Sequence, residues 1–205
     1  MQQPHLIIVA GCNGAGKSTY SNMLVDVVVP FDYDKRFLEI YDSLFDSELK
    51  EEIAINKTTI ELNELIENSF KENKTVCFET NLHIFPYKWI EEAKSLGYLI
   101  DVYFFCLNSI DIAKNRVDIR TANKGHYVNE QTIKEKWKAG YRNLNKNFET
   151  FDFIAILDNS QDLIPKFLFE LERQKTGKFH YKKLVVQLPE YIERRFPDIF
   201  NKLIK

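Results

Sequence analysis

Residues 11–18 read GCNGAGKS, and they directly follow a short apolar run, LIIVA at residues 6–10. The eight residues fit the pattern G-x-x-x-x-G-K-[ST], in which a glycine-rich loop joins a buried strand to the start of a helix. Residues 17–28 have the composition of that helix, and Pro30 ends it. We therefore predict that the chain starts with a strand, a phosphate-binding loop and a helix.

The residue types in this loop suit a nucleoside triphosphate. Glycines allow successive backbone N–H groups to point at phosphate oxygens, and the helix N-terminus adds a partial positive charge. We expect Lys17 to reach the β- and γ-phosphates of ATP and the Ser18 hydroxyl to bind Mg2+. The loop residues predicted to bind the nucleotide are Gly11, Asn13, Gly14, Ala15, Gly16, Lys17, Ser18 and Thr19. Many unrelated activities share such a loop, so the motif identifies a nucleotide and not a reaction.

Farther along the chain, apolar strand-like runs alternate with segments of helical spacing. Further strands are predicted at residues 75–78, 98–107 and 151–157, and we take the last of these as the final clear strand. Helices are predicted in the segment that carries Arg116 and Arg120 and at residues 35–44, 48–71, 86–96, 130–148 and 163–173. In the helix at residues 48–71, the residues expected on the buried face are Ile53, Ile60, Leu65 and Ile66.

This alternation predicts the fold class: an α/β P-loop NTPase with a doubly wound, mostly parallel sheet flanked by helices. Residues 179–188 have the pattern of an added strand, and residues 189–204 have that of a short helical piece. We expect a P-loop domain at residues 1–175 and a small C-terminal extension at residues 176–205 that packs on the same domain.

Composition narrows the class of protein. The 205 residues are 44% hydrophobic and include 16 Phe and 10 Tyr, enough for one α/β domain with a core. The net charge of −2 argues against a general nucleic-acid binder, whose surface is normally basic. We see no apolar run of membrane-spanning length and no basic leader before an apolar segment. The widely spaced Cys12, Cys77 and Cys106 indicate a reducing compartment, so we expect a cytoplasmic location.

Several short motifs follow the loop along the chain. They read FDYDKRF at 31–37, FETNL at 78–82, RVDIR at 116–120, KGHYVN at 124–129 and LDNS at 157–160. Together with the loop, they resemble the zeta toxin family of P-loop kinases, most of all its stand-alone bacterial members. The resemblance implies an ATP-dependent kinase that phosphorylates a hydroxyl of a small molecule, such as UDP-N-acetylglucosamine or another UDP-amino-sugar. It also raises an antitoxin protein as a partner, which one chain does not show.

The resemblance implies roles for two acidic segments. Asp34 stands where the family has a carboxylate that orients the attacking hydroxyl and accepts its proton. Asp32 is the alternative, because the family usually has Asn there, and both aspartates also have the position of helix-capping residues. Glu79, Thr80 and Asn81 end a predicted strand, where ligands bind in open α/β sheets. We expect them to contact the acceptor, or Glu79 to contact Mg2+-bound water.

Arg116 and Arg120 are four residues apart and therefore share one face of a helix. The resemblance implies that this face closes over the triphosphate, where guanidinium groups suit the charge that develops in the transition state. We expect Arg120, together with Lys17 and Asp34, to be catalytic, and Arg116 to bind the nucleotide or position the helix. Surface ion pairs with nearby aspartates are the alternative.

The remaining motifs give further assignments. The segment KGHYVN departs from the usual family pattern GGHxVP, and Lys136 stands where many relatives carry arginine. His126 is expected to contact the substrate, or else to be an exposed loop residue. The resemblance places Asp158 and Asn159 near the adenine ring; the alternative is that Asp158 organises Mg2+.

Two other functions stay open on the sequence alone. A nucleoside, nucleotide or polynucleotide-end kinase would share the loop, the acid and the arginines. A regulatory module that binds ATP without turnover is the other, and the joint presence of Asp34, Glu79 and Arg120 argues against it.

Overall fold

The structure is a computed structural model that describes residues 3–25, 27–122, 128–161 and 164–203. Its strands are β1 (His5–Ala10), β2 (Val76–Thr80), β3 (Leu99–Cys106), β4 (Phe153–Asp158), β5 (Lys166–Arg173) and β6 (Phe179–Lys183). They form one sheet in the order β2-β1-β3-β4-β5-β6. The first four strands are parallel, and β5 and β6 are antiparallel.

The described residues form eight α-helices, of which the first six connect the parallel strands. They are α1 (Lys17–Leu24), α2 (Tyr33–Ser43), α3 (Lys50–Lys71), α4 (Tyr87–Ser95), α5 (Ile110–Ala122), α6 (Glu130–Asn147), α7 (Glu190–Arg195) and α8 (Pro197–Leu203). Among the residues that the structure describes, no helix is both long enough and apolar enough to cross a membrane.

Both faces of the sheet are buried. Leu6 and Ile8 of β1 enter one hydrophobic cluster together with residues of α3, α4 and α6. Ile7 and Val9, which point to the opposite face, enter a second cluster that includes Ala113 of α5. This arrangement confirms the predicted doubly wound α/β fold and explains why the strands are almost continuously apolar.

The carboxyl ends of the first strands meet at one edge of the sheet. Ala10 of β1 is paired with Thr80 of β2 on one side and with Phe104 of β3 on the other. In open α/β sheets this edge is where ligands bind. The predicted phosphate loop and the acidic segment of β2 are therefore next to each other.

The prediction of a helix at residues 163–173, and of residues 151–157 as the final strand, was wrong. Ile164, Phe167, Leu168 and Leu171 have helical spacing, but β5 forms here and pairs antiparallel with β4. The free edge of β4 supplies backbone partners that a local pattern does not reveal, and Leu168, Phe169 and Leu171 become buried in the strand.

The buried face of α3 also differs from the prediction. The buried residues follow steps of four: Ala54, Thr58, Leu62, Ile66 and Phe70. Of the residues predicted to be buried, Ile53, Ile60 and Leu65 are 36%, 54% and 37% exposed. The hydrophobic pattern alone did not distinguish two overlapping stripes, because α3 carries apolar residues on more than one side.

The C-terminal residues pack against the sheet and α6. β6 pairs with β5, and the fully buried Phe196 has its ring centroid 5.5 Å from that of Tyr141 on α6. Asn145 of α6 donates from Nδ2 to Asp198 Oδ2 at 2.7 Å and accepts from the Asp198 backbone N–H at 3.0 Å. These contacts fix α7 and α8 onto α6.

The strand assignment of β5 gives a stability prediction. Phe169 is fully buried, whereas Glu172 on the same strand is exposed. Phe169→Ala is expected to lower the free energy of unfolding by about 3–5 kcal/mol, because it leaves a cavity under the sheet. Glu172→Ala is the control and should change it by less than about 1 kcal/mol. Equal effects in urea unfolding would contradict the buried strand.

Candidate active site

The predicted phosphate loop lies at the carboxyl end of β1 and leads into α1. The Ala15 N–H donates to the Cys12 carbonyl at 3.1 Å, and the Gly11 N–H donates to the Thr80 carbonyl at 3.2 Å. Lys17 Nζ donates to the carbonyls of Gly11 and Cys12 at 2.9 and 3.2 Å. The ammonium group thus lies against the loop, close to the positive end of α1.

Asn159, which follows β4, supports the loop from the other side. Its Nδ2 donates to the Ala15 carbonyl at 2.8 Å. Gly16 has φ of 93°, and a Cβ at this position would lie 2.2 Å from Asn159 Nδ2. Glycine is therefore required here both by the backbone conformation and by the space available.

Arg116 of α5 connects the loop to the segment after β4. Its guanidinium donates to the carbonyls of Gly14 at 3.3 Å, Asn159 at 2.8 Å and Gln161 at 3.3 Å. These contacts attach α5 to the phosphate loop and to the segment after β4. Arg120, one turn farther along α5, lines the same cavity as Arg116.

Glu79 connects β2 to α1. Ser18 Oγ donates to its Oε2 at 2.8 Å, and Ser21 Oγ donates to its Oε1 at 2.7 Å. The residue is 6% exposed. Burial raises the pKa of Glu79, and the nearby charge of Asp32 raises it further, against the lowering effect of the two hydroxyl donors.

The oxygen atoms around Ser18 suit Mg2+, which prefers carboxylate, hydroxyl and water ligands. Ser18 and Glu79 are in hydrogen-bond contact, and Asp32 lines the same cavity as both. Within the described residues, no group of three or more His, Cys, Asp or Glu side chains could hold a metal by itself. Mg2+ in kinases takes most of its ligands from water and phosphates, so this donor set fits it.

Asp32 and Asp34 have different environments. Asp32 is the N-cap of α2, where its Oδ1 accepts from the Lys35 N–H at 3.1 Å. Asp34 lies in the first turn of α2 and accepts from Asn13 Nδ2 at 3.3 Å. Only Asp32 has the capping role that was the alternative for both. Asp34 contacts the phosphate loop.

The backbone of Phe31 sets the position of this acidic segment. Its N–H donates to the Cys77 carbonyl at 2.9 Å, and its carbonyl accepts from the Glu79 N–H at 2.9 Å. The residues before α2 are thereby attached to the outer edge of β2. As a result, Asp32 and Asp34 line the same cavity as Glu79.

Two cavities meet at the loop. The first, of about 410 Å³, is lined by the phosphate loop, Arg116, Arg120 and Asn159. The second, of about 560 Å³, extends from the end of β2 towards α3 and α4. Lys17 and Asp34 line both cavities. A group bound in one cavity is therefore next to a group bound in the other.

The second cavity combines aromatic walls with a few polar groups. Its aromatic residues are Tyr33, Phe78, Phe85, Tyr87 and Trp89, and its polar residues include Asn63, Thr80, Asn81, His83, Lys88 and Lys136. Burial, followed by the charge of Lys136, lowers the pKa of His83. The cavity size and composition are typical of a small-molecule site.

Thr80 and Asn81 have distinct contacts within this second cavity. Thr80 Oγ1 accepts from the Leu82 N–H at 3.0 Å, which shapes the turn after β2. Asn81 Oδ1 is buried and has no hydrogen-bond partner among the residues that the structure describes. Gly140 of α6 lies so close that a Cβ there would be 2.7 Å from the Asn81 carbonyl. The helix therefore fixes the backbone at Asn81.

Asp158, which was predicted to lie near the adenine ring, lines neither cavity. Asp158 Oδ1 accepts from the Ser160 N–H at 2.9 Å and from the Ser160 hydroxyl, so its carboxylate stabilises a local turn. Asp158 ends β4, and β3 lies between β4 and β1 in the sheet. His126, with the rest of residues 123–127, lies outside the described residues, so its predicted role stays a prediction.

Sequence reasoning missed several residues of the site. Ser21 is three positions after Ser18 on α1, so helical spacing could have indicated that both face the same carboxylate. The aromatic residues at 85–89 follow the FETNL motif closely and could have indicated an apolar acceptor site. Lys136 was noted as a replacement for an arginine, but it lines the second cavity and not the first.

Known proteins resemble this chain in family pattern and in fold. The model of the zeta toxin family matches residues 1–166. No curated protein sequence gives a significant match. Among solved structures, a chain from the PezAT chromosomal toxin–antitoxin system of Streptococcus pneumoniae is similar, with 14% identity and a TM-score of 0.58. The match covers 100% of this chain and 89% of that chain.

A second similarity is to the AvrRxo1-ORF1:-ORF2 complex. The native complex matches with 11% identity and a TM-score of 0.67, covering 98% of this chain and 66% of that chain. The complex with ATP matches with 10% identity and a TM-score of 0.62, covering 98% and 76%. At these identities the likeness shows the fold alone.

The fold, the loop with Lys17 and Ser18, and the adjoining acidic groups define a P-loop phosphotransferase that uses ATP. The family model covers most of the chain, and the chain belongs to the zeta toxin family.

The buried carboxylate of Glu79 gives a prediction about stability and pH. Because burial raises its folded-state pKa, this group stabilises the fold most when protonated, and that stability is lost as pH rises through the raised pKa. Glu79→Gln cannot ionise, so its advantage in Tm over the unsubstituted protein should grow between about pH 4 and pH 8.

Thermal unfolding across this pH range measures the effect, with the exposed Glu67→Gln of α3 as the control. A Tm difference for Glu79→Gln that does not change with pH, or that shrinks as pH rises, would contradict the prediction.

Proposed function

We propose that the protein transfers the γ-phosphate of ATP to a hydroxyl of a small molecule, and that this acceptor is a UDP-amino-sugar such as UDP-N-acetylglucosamine. One observation carries the transfer: Lys17 and Asp34 line both the cavity at the phosphate loop and the larger aromatic cavity. An acceptor hydroxyl near Asp34 would face a γ-phosphate near Lys17. The UDP-amino-sugar itself rests on the family resemblance.

On the nucleotide side, the triphosphate binds the loop and Lys17, and Mg2+ would be held by the Ser18 hydroxyl and by water molecules that donate to the Glu79 carboxylate. Bound Mg2+ neutralises charge on the β- and γ-phosphate oxygens. Asn159 is 4% exposed, and its Oδ1 has no hydrogen-bond partner among the described residues. This oxygen suits an amino group such as that of adenine.

In the transfer step, the acceptor oxygen forms a bond to the γ-phosphorus while the bond to the β–γ bridging oxygen breaks and ADP leaves. Asp34 orients the hydroxyl and accepts its proton late in the step. Asn13 holds the Asp34 carboxylate from the loop side. Arg120 meets the negative charge of the transferring phosphoryl group.

The chemistry of the larger cavity supports a nucleotide-sugar acceptor. The rings of Phe78 and Trp89, 5.3 Å apart, belong to an aromatic wall that suits a flat base. Lys88 and Lys136 suit a diphosphate. The unpartnered Oδ1 of Asn81 suits an N–H or O–H group of the acceptor.

Partner and location follow from different observations. The similar PezAT structure comes from a toxin–antitoxin system, so we propose an antitoxin protein as a partner. Cys12, Cys77 and Cys106 are free and buried, which fits a reducing compartment, and we propose that the kinase acts in the cytoplasm. We also propose that residues 176–205 form one unit with the kinase domain at residues 1–175.

Incubation with γ-labelled ATP, Mg2+ and single acceptors tests the proposal. The acceptors are UDP-N-acetylglucosamine, UDP-glucose, a nucleoside and an oligonucleotide with a free 5′-hydroxyl, and Lys17→Ala is the inactive control. A labelled UDP-amino-sugar supports the proposal. Label only on the nucleoside or the oligonucleotide end would support the alternative kinase classes, and no label on any acceptor would overturn the proposed acceptor.

Asp34→Asn is expected to lower kcat by about 100-fold or more while ATP binding is retained, because it deletes the proton acceptor and spares the nucleotide contacts. Asp32→Asn is the matched control and should have a small effect, since Asn is an equally good N-cap. Kinetics and ATP titration of both variants decide the assignment. An inactive Asp32→Asn beside an active Asp34→Asn would reverse it.

Arg120→Ala is expected to lower kcat by about 100-fold or more, corresponding to about 2.7–4 kcal/mol of transition-state stabilisation, with a smaller loss of ATP affinity. Arg120→Lys should restore only part of the lost kcat, because lysine keeps the positive charge but lacks the planar guanidinium group. Arg116→Ala should affect ATP binding as well, since Arg116 braces the loop. Unchanged kcat with weaker ATP binding would make Arg120 a ground-state contact only.

A further inference from the structure

Arg195 of α7 lies outside residues 1–166, which the family model matches, yet its guanidinium reaches the end of β3. Nη1 donates to the Leu107 carbonyl and, at 3.0 Å, to the Tyr141 hydroxyl. Nη2 donates to the Asn108 carbonyl at 2.7 Å. Leu107 and Asn108 stand between β3 and α5, the helix that carries Arg116 and Arg120.

Three aromatic rings surround this guanidinium. Arg195 Cζ lies 4.3 Å from the ring centroid of Trp137, 4.7 Å from that of Tyr141 and 4.5 Å from that of Tyr191. The hydrogen-bond acceptors named above are all neutral. Stacking on aromatic rings together with forked donation to two carbonyls is chemistry that arginine provides and lysine does not.

Arg195 and Tyr141 together connect three parts of the chain. Tyr141 of α6 accepts from the Leu107 N–H at 2.9 Å and donates to the Leu107 carbonyl at 3.1 Å. Phe196, next to Arg195, is fully buried, and Asp198 is hydrogen-bonded to Asn145 of α6. Helix α7, which carries Arg195, is therefore attached to α6, and Arg195 attaches the segment before α5 to α7.

We propose that Arg195 is a positioning residue for phosphoryl transfer: it holds the segment before α5 and thereby sets the place of Arg120 at the triphosphate. The inference rests on the role proposed for Arg120. It gives the C-terminal residues a part in catalysis and not only in the stability of the fold.

The test uses Arg195→Met, Arg195→Lys and the matched control Arg194→Met, which changes an exposed arginine of the same helix. ADP formation from ATP and Mg2+ is measured with and without UDP-N-acetylglucosamine. Arg195→Met is expected to lower kcat about tenfold or more, with a smaller change in KM for ATP, because small displacements of a catalytic group reduce turnover strongly. Arg195→Lys should restore part of the lost kcat, and Arg194→Met should have the same kcat as the unsubstituted protein.

A double-mutant cycle separates positioning from stability. In an Arg120→Ala background, Arg195→Met should cause little further loss of kcat, because both substitutions remove the same interaction. If Arg195→Met does not fold, the cycle uses Arg195→Lys. If the loss of kcat in the double variant equals the product of the two single losses, the proposal is overturned and Arg195 is a structural residue.

Hydrogen exchange adds a measurement that does not depend on turnover. Amides of α5 should exchange faster in Arg195→Met than in Arg194→Met, while those of β1 stay unchanged. Equal exchange in α5 would overturn the proposal. If Arg120→Ala lowers kcat and Arg195→Met does not, this inference alone is overturned. If Arg120→Ala leaves kcat unchanged, the role of Arg120 is overturned, and this inference with it.

Discussion

Two serine hydroxyls donate to the buried carboxylate of Glu79, and much of the site depends on this contact. It attaches β2, which leads to the aromatic cavity, to α1, which leads away from the phosphate loop. Burying a carboxylate is unfavourable unless donors surround it, and Ser18 and Ser21 are such donors. The same carboxylate lies beside the proposed Mg2+ ligand Ser18. The protein thus buries an ionisable carboxylate between α1 and the aromatic cavity.

The parts predicted well from the sequence are those in which local pattern and fold agree. The glycine-rich loop requires positive φ at Gly16 and a helix after it, and both requirements are visible in eight residues. The parallel strands were recognisable because both of their faces are buried. The role of Asp34 stays a prediction; the structure adds that Asp34 accepts from Asn13, whereas Asp32 caps α2.

The parts predicted poorly depend on partners distant in sequence. β5 was expected to be helical because its apolar residues also have helical spacing, and only the free edge of β4 makes a strand the better solution. Ser18 and Glu79 are 61 residues apart, so no local pattern indicates their hydrogen bond. Arg195 reaches the end of β3 across 88 residues and had no sequence signal at all. Side-chain contacts of this kind require the fold to be known first.

The attachment of Phe31 to β2 has a consequence for how this protein meets other copies of itself. An open sheet has two outer strands whose unpaired backbone groups can recruit a foreign strand and start aggregation. Here the outward N–H of Glu79 and carbonyl of Cys77 are already occupied by Phe31. At the opposite border, β6 carries the exposed Lys182 and Lys183, whose like charges repel an approaching copy. One border is partly covered and the other is charged, so the segment that carries Asp34, the proposed catalytic base, also occupies backbone groups that another copy could pair with.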